Sequence, residues 1–131
     1  MIVDSSALVA VATRGPRYRE LVETLTTSRL TAVGAPTLVE TGMVLTSRMD
    51  ARGRAALEAL LTVHDIAVIT FDAEHWREAV TAFSRYGKGR HPAGLNFGDC
   101  LTYATARRSG RPLLCLGDDF AQTDLEVVPL G

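Results

Sequence analysis

The chain has 131 residues, with 14 basic and 15 acidic side chains, a net charge of −1 and 47% hydrophobic residues. This composition excludes a disordered chain, and the length predicts a single domain over residues 1–131. No window approaches the roughly 18 consecutive apolar residues of a membrane span, and Asp4 precedes any apolar run, so we expect a cytoplasmic protein without a secretory signal. The near-neutral charge excludes nucleic-acid binding through bulk positive charge.

The first half of the chain alternates short apolar runs with helical patterns. Ser5 and Ser6 are available to cap the first helix, and Pro36 suits the first turn of a later one. In chain order the predicted elements are a strand at 1–3, helices over 7–12 and 17–28, a strand at 30–35, and helices over 36–49 and 53–63.

The second half continues this alternation. Asp72 is the predicted N-cap of one helix and Gly87 its end, while Asn96 caps the next helix and Gly110 ends it. The elements are a buried strand at 66–69, a helix over 73–86, a basic loop over 87–95, a helix over 97–108, and strands at 113–116 and 125–128. The pattern predicts an α/β sandwich with a largely parallel sheet, whose ligands bind at the carboxyl ends of the strands.

Acidic residues follow two of the predicted strands. Asp4 ends the first strand, and Asp118 and Asp119 follow the strand at 113–116. Because the carboxyl ends of parallel strands meet at one edge of the sheet, we expect these carboxylates to lie on the same side. Each acid alone is also typical of a turn or a helix cap, but their joint placement favours a site.

Two further acids lie in predicted helices. Glu40 has apolar neighbours on nearly every side, so we expect its helix to be buried and its carboxylate to need a cation or strong donors. The alternative for Glu40 is a surface position on a polar stripe. Asp99 follows Asn96 by three residues, where it either interacts with the positive end of the helix or binds a metal from a rigid first turn.

These five acids cannot all remain ionised unaided if they converge. Two carboxylates about 4 Å apart repel by about 4 kcal/mol at an effective dielectric of about 20. A hard divalent cation such as Mg²⁺ or Mn²⁺ relieves the repulsion, and such oxygen-rich sites mostly act on phosphate esters. The rest of the chain then has 14 basic residues against the 10 remaining acids, so it is net positive.

The other reactive side chains do not form a competing site. Cys100 and Cys115 lack metal-ligand spacing, and we predict that they are small buried hydrophobic residues. His64, His75 and His91 show no paired spacing, and we predict surface or loop positions for them. The chain also has no Gly-rich phosphate loop and no serine-nucleophile elbow.

Four segments resemble the PIN-domain ribonucleases, and more closely the VapC toxins of bacterial toxin–antitoxin pairs. They are MIVDSSALVA, PTLVETGMVL, YGKGRHPAGLNFGDCLTYATA and PLLCLGDDFAQTD, in the family's order over the whole chain. The resemblance implies a three-layer α/β/α sandwich and an Mg²⁺- or Mn²⁺-dependent endonuclease acting on transfer or ribosomal RNA. It also implies a homodimer within a larger assembly with a cognate antitoxin, whose tail covers the acidic groove.

The resemblance also implies roles for individual residues. Glu40 would orient or deprotonate the attacking water, and the aspartates would bind the metal. Ser6 would orient Asp4 or a metal-bound water, Asn96 would support the site as a helix cap, and Ser5 replaces the family's usual threonine. The site acids are Asp4, Glu40, Asp99 and, for the fourth, Asp119 with Asp118 as an alternative or an assisting ligand.

A basic cluster precedes the Asn96 cap. We predict that it binds RNA phosphates, the alternatives being a solvated loop or a contact to a protein partner. Its members are Arg85, Lys88, Arg90 and His91.

Three other classes of protein compete with this interpretation. An RNase H-like nuclease has a similar order of acids but opens with an antiparallel meander, whereas Asp4 is followed at once by helical sequence. A receiver domain needs a lysine after a late strand, and the only lysine, Lys88, lies in a mid-chain loop. A catalytically silent PIN-like module that binds RNA or a partner is disfavoured by the retention of all four acids.

Overall fold

Four parallel strands form the central sheet in the order β3-β2-β1-β4 in a computed structural model that describes residues 1–130. Ile2 pairs with Ala32 on one side and with Leu113 on the other, so β1 lies inside the sheet. The elements are β1 (Ile2–Val3), α1 (Ser5–Ala12), α2 (Tyr18–Thr27), β2 (Thr31–Gly34), α3 (Ala35–Met49), α4 (Ala51–Val63), β3 (Ile66–Ile69), α5 (Ala73–Tyr86), α6 (Phe97–Ser109), β4 (Leu113–Leu114) and a 3₁₀ turn (Phe120–Gln122).

Two hydrophobic cores lie on opposite faces of this sheet. Successive residues of a strand point to opposite faces, so Ile2 packs in one core and Val3 in the other. The first core includes buried residues of α5 and α6, and the second includes residues of α1, α2 and α4. This layering confirms the predicted α/β sandwich with a parallel sheet.

Most predicted elements are present, with shifted ends. The predicted caps of α1 are wrong, because Asp4 caps the helix and Ser5 is its first residue. The strand predicted at 113–116 ends after Leu114, and the one predicted at 125–128 is reduced to a single bridge between Leu113 and Val127. The helix predicted from residue 53 begins at Ala51. These ends depend on hydrogen bonds that apolar patterning does not specify.

Helix α3 and strand β3 are less buried than their apolar composition predicts. In α3 the buried residues are Thr37, Thr41 and Leu45, whereas Val39 is 60% exposed and Met43 67% exposed. The expectation of a buried α3 is therefore wrong, and Glu40 is only half-buried. In β3 only Ile66 is buried, because the strand is at the edge of the sheet.

The cysteine prediction is confirmed, and one histidine prediction is wrong. Cys100 and Cys115 are free and buried. His75 is buried instead of lying at the surface, because it folds back on the α5 cap, with Nδ1 2.9 Å from Oδ1 of Asp72.

Among residues 1–130, no helix has the length and apolar character needed to cross a bilayer.

Two glycines at the contact between α3 and α4 provide a matched test of this packing. A methyl group at Gly53 would collide with the Leu45 carbonyl, whereas one at Gly42 would meet only Leu57 Cδ2 at 3.7 Å. We expect Gly53→Ala to destabilise the fold by about 1–3 kcal/mol through overpacking. Gly42→Ala should stabilise it by about 0.5–1 kcal/mol, because alanine is the better helix former. Urea unfolding measures both, and a shift in the same direction for the two variants would contradict this packing.

Candidate active site

Asp4 is fixed at the carboxyl end of β1 by three donors. As the N-cap of α1, its Oδ2 accepts hydrogen bonds from the backbone N–H of Ser6 at 3.1 Å and from Ser6 Oγ at 2.6 Å. Its Oδ1 accepts from Thr102 Oγ1 at 2.9 Å. Ser6 Oγ in turn accepts from the N–H of Leu116, just beyond β4. The carboxylate is buried, and its position is defined by two neighbouring elements.

Asp99 is held in the first turn of α6 by a reciprocal cap. The side-chain oxygen of Asn96 accepts from the N–H of Asp99 at 2.9 Å, and Asp99 Oδ2 accepts from the N–H of Asn96 at 3.1 Å. Such a capping box satisfies two N–H groups that the helix leaves without a partner. Asn96 thus positions Asp99. Within residues 1–130, Asn96 makes no side-chain hydrogen bond to the other acids.

Glu40 reaches the same region from the second turn of α3. Its carboxylate lies against Gly98, next to Asp99 in the chain, and a methyl group at Gly98 would collide with it. The absence of a side chain at Gly98 therefore leaves room for the Glu40 carboxylate beside the first turn of α6. Asp118 and Asp119 follow β4 on an exposed segment, and Asp119 directly precedes the 3₁₀ turn.

Electrostatic effects show which acids lie together. Burial raises the pKa of Asp99, the hydrogen bond from the Asn96 backbone opposes this, and the charges of Asp4, Asp119 and Glu40 raise it further. Burial and the charges of Asp4, Asp99 and Asp119 raise the pKa of the Cys115 thiol to about 12. Within residues 1–130, none of these four acids forms an ion pair.

The four acids fit a hard divalent cation in donor type and in charge. They supply only carboxylate oxygens, and their negative charge is not balanced by a neighbouring cation in the described part of the chain. As placed, no three His, Cys, Asp or Glu side chains of residues 1–130 are close enough to hold one ion. Holding one ion with three of these carboxylates would therefore require the side chains to move towards one another, whereas Mg²⁺ can also be bound by one or two carboxylates together with waters.

The basic loop residues differ in how they are held. Arg85 Nη2 donates to the Tyr86 hydroxyl, and Arg85 Nη1 lies 3.9 Å from Asp124. Arg90 Nε donates to the Ser84 carbonyl at 3.3 Å, while Lys88 is exposed. His91, the remaining member of the cluster, is half-buried. Its Nδ1 accepts a hydrogen bond from the backbone N–H of Ala93 within the loop.

Sequence reasoning missed three residues of the site, namely Thr37, Gly98 and Thr102. Thr37 precedes Glu40 by three residues, and Thr102 follows Asp99 by three. Residues three apart lie on the same face of a helix, so this spacing was the available signal.

Comparisons with known proteins agree with this geometry. The PIN domain family matches residues 1–126. Ribonuclease VapC36 of Mycobacterium tuberculosis is 46% identical over 127 residues, covering 96% of this chain and 91% of that protein. Ribonuclease VapC of Mycolicibacterium smegmatis is 39% identical over 128 residues, covering 98% and 99%.

Solved structures show the same fold. The toxin VapC20 of Mycobacterium tuberculosis superposes with a TM-score of 0.79 at 22% identity, covering 98% of each chain. VapBC2 of Rickettsia felis, solved bound to a promoter DNA fragment, gives 0.77 at 13% identity, covering 98% of this chain and 96% of that one. The chain therefore belongs to the PIN-domain family, in the branch of the VapC ribonucleases.

The raised pKa of Asp99 predicts that the site destabilises the metal-free fold. A carboxyl group whose pKa is higher in the folded state binds its proton more readily there, so stability falls as pH rises through the interval between the unfolded and folded values. We expect Asp99→Asn to raise the melting temperature at neutral pH in EDTA, and the difference to vanish at acid pH. Asp118→Asn is the control with an exposed acid. A lower melting temperature for Asp99→Asn at neutral pH would contradict the prediction.

Proposed function

We propose that this protein is a metal-dependent endoribonuclease toxin of a type II toxin–antitoxin system. The observation that supports this most is the placement of four acids at one edge of the sheet, where burial and then the charges of Asp4, Asp119 and Glu40 raise the pKa of Asp99. Relatives that are 39–46% identical over nearly the whole chain are named ribonucleases. Hydrolysis of RNA phosphodiester bonds in the cytoplasm is the reaction that fits both the group of acids and the names of these relatives.

Asp4, Asp99 and Asp119 would hold an Mg²⁺ ion, with Mn²⁺ as the alternative and Asp118 assisting from the exposed segment. When bound, such a cation supplies charge neutralisation, a more acidic water and stabilisation of the phosphoryl oxygens. Ser6 keeps one edge of the Asp4 carboxylate in place through two hydrogen bonds. Asn96 does the same for Asp99 through the helix cap.

Glu40 would orient or deprotonate the attacking water. Its carboxylate lies at Gly98, beside the Asp99 turn, so it faces the pocket from the α3 side. Water would attack the phosphorus in line with the bond to the 3′ oxygen, because displacement of that oxygen requires this geometry. The bond between phosphorus and the 3′ oxygen breaks, leaving a 5′-phosphate and a 3′-hydroxyl.

The substrate class is transfer or ribosomal RNA, guided by the basic loop before α6. Lys88 is exposed there, and Arg90 is held on the Ser84 carbonyl in the same loop. Together with Arg85 and His91, these side chains would bind phosphates next to the acidic pocket. Arginine presents a planar fork of donors that matches phosphate oxygens.

A cognate antitoxin would inhibit the enzyme by covering the pocket. Clustered carboxylates without a counter-charge are a suitable receptor for an arginine fork. Structures of the same fold include a toxin–antitoxin complex from Klebsiella pneumoniae, which superposes with a TM-score of 0.70 at 21% identity. We propose that this chain forms a homodimer within such an assembly.

Loss of site carboxylates should abolish cleavage without unfolding the protein. Asp4→Asn and Asp99→Asn each remove one negative charge at constant volume, and loss of one preorganised electrostatic group costs roughly 10²–10³ in kcat. We expect RNA cleavage with Mg²⁺ or Mn²⁺ to fall by at least that factor in both variants, and to stop in EDTA. Gel analysis of labelled RNA measures this. Cleavage that persists in both variants would refute the catalytic role of these acids, and the absence of cleavage by the wild type would favour the silent binding module.

Salt dependence tests the basic loop separately from catalysis. Each phosphate contact to single-stranded nucleic acid adds roughly 0.7 to the slope of log affinity against log salt. Alanine at all four positions of the basic cluster, Arg85 at the end of α5 and Lys88, Arg90 and His91 in the loop, should lower the magnitude of this slope, measured with RNA and the Asp99→Asn protein. A matched control replaces Arg29, Arg52 and Arg111, three exposed arginines on other segments. An unchanged slope for the loop variant, or an equal decrease in the control, would refute phosphate binding by the loop.

A further inference from the structure

Two buried threonine hydroxyls link the helices of the site to Asp4. Thr37 of α3 and Thr102 of α6 have their Oγ1 atoms 3.0 Å apart, and Thr102 Oγ1 lies 2.9 Å from Oδ1 of Asp4. Thr102 is only 1% exposed and Thr37 only 2%. Water therefore does not reach this edge of the Asp4 carboxylate from the side of the two helices.

The number of hydroxyl hydrogens determines the direction of these bonds. A threonine hydroxyl has one hydrogen to donate and two acceptor sites. Thr102 donates its hydrogen to Asp4, so the hydrogen between the two threonines must come from Thr37. The sequence of donation is therefore from Thr37 to Thr102 to Asp4. A hydrogen bond that ends on a carboxylate is stronger than one between neutral groups.

We propose that Thr102 is a positioning residue for Asp4 and that Thr37 supports it from α3. This proposal rests on the proposed role of Asp4 in metal binding. Ser6 holds Oδ2 of the carboxylate and Thr102 holds Oδ1, so the two hydroxyls together determine its orientation. Without Thr102, only the two hydrogen bonds from Ser6 to Oδ2 remain, so the carboxylate turns more readily about its bond to Cβ and the ion-binding arrangement is less populated.

The hydrogen bonds between Thr37, Thr102 and Asp4 also connect the elements that carry the acids. Thr37 lies one turn before Glu40 in α3, and Thr102 lies one turn after Asp99 in α6. The contact between the two hydroxyls therefore joins the helices that carry these acids, and the bond to Asp4 joins both helices to β1. These hydrogen bonds thereby connect the elements that carry Asp4, Glu40 and Asp99.

Metal affinity distinguishes positioning from a purely structural role. Thr102→Val keeps the volume but removes the donor, and loss of a residue that orients a metal ligand typically costs 10–100-fold in metal affinity. We expect calorimetric titration of the antitoxin-free protein with Mn²⁺ to show a loss in roughly that range. Thr102→Ser restores the hydroxyl and should return the affinity to near the wild-type value. Thr37→Val should reduce the affinity less, because Thr102 still donates to Asp4.

Thr105 provides the matched control. It is equally buried, lies one turn further along α6, and donates to the Leu101 carbonyl and not to a site acid. Thr105→Val should therefore leave Mn²⁺ affinity unchanged, with circular dichroism confirming the fold of all four variants. A Thr102→Val protein that is folded and binds Mn²⁺ like the wild type would overturn the proposal. So would a loss in Thr37→Val as large as that in Thr102→Val.

The outcomes separate this proposal from the proposed function. If the wild type neither binds Mn²⁺ nor cleaves RNA, the proposed metal-dependent function itself is wrong. If the wild type does both and Thr102→Val matches Thr105→Val, only the positioning role of Thr102 is wrong.

Discussion

Repulsion among carboxylates at one edge of the sheet is the constraint on which the rest of the site depends. Asp99 is partly buried beside three other acids, and its raised pKa is the direct consequence. Proteins hold such charges only where donors or cations compensate for lost hydration. Here the donors are a serine and a threonine hydroxyl on Asp4 and the cap backbone on Asp99. They orient the acids but do not neutralise them, which leaves the pocket suited to a cation.

The fold meets this constraint through close approach of its elements. Asp4 directly follows β1, and Asp119 lies on the exposed segment after β4, beyond the carboxyl ends of these neighbouring parallel strands, where such sheets bind their ligands. Helix α6 reaches the same edge because two glycines leave room for it. Gly98 faces the Glu40 carboxylate, and Gly34 at the end of β2 lies against Thr105. A methyl group at Gly98 would displace the Glu40 carboxylate, and one at Gly34 would displace the Thr105 side chain.

How much of this the sequence predicts depends on the range of the interactions involved. The caps of α5 and α6 depend on interactions between neighbouring residues, and Asp72, Asn96 and Gly110 predict them correctly. Burial of α3 was mispredicted because apolar composition does not specify which face packs, and threonines line the buried face instead. The bond from Thr102 to Asp4 spans 98 residues, so no local pattern could specify it. The spacing of each threonine from a site acid indicates only that the pair shares a helix face.

The charge distribution explains why position matters more than total charge in this protein. The chain has a net charge of −1, yet without Asp4, Glu40, Asp99, Asp118 and Asp119 its 14 basic residues exceed the remaining 10 acids. A phosphodiester is repelled by the pocket itself and attracted by the rest of the surface. Screening weakens the surface attraction beyond about 8 Å at physiological salt. In the proposed function, short-range order among the acids would therefore decide whether an approaching phosphate finds a cation there, and the hydrogen bonds to Asp4 fix the position of one of these acids.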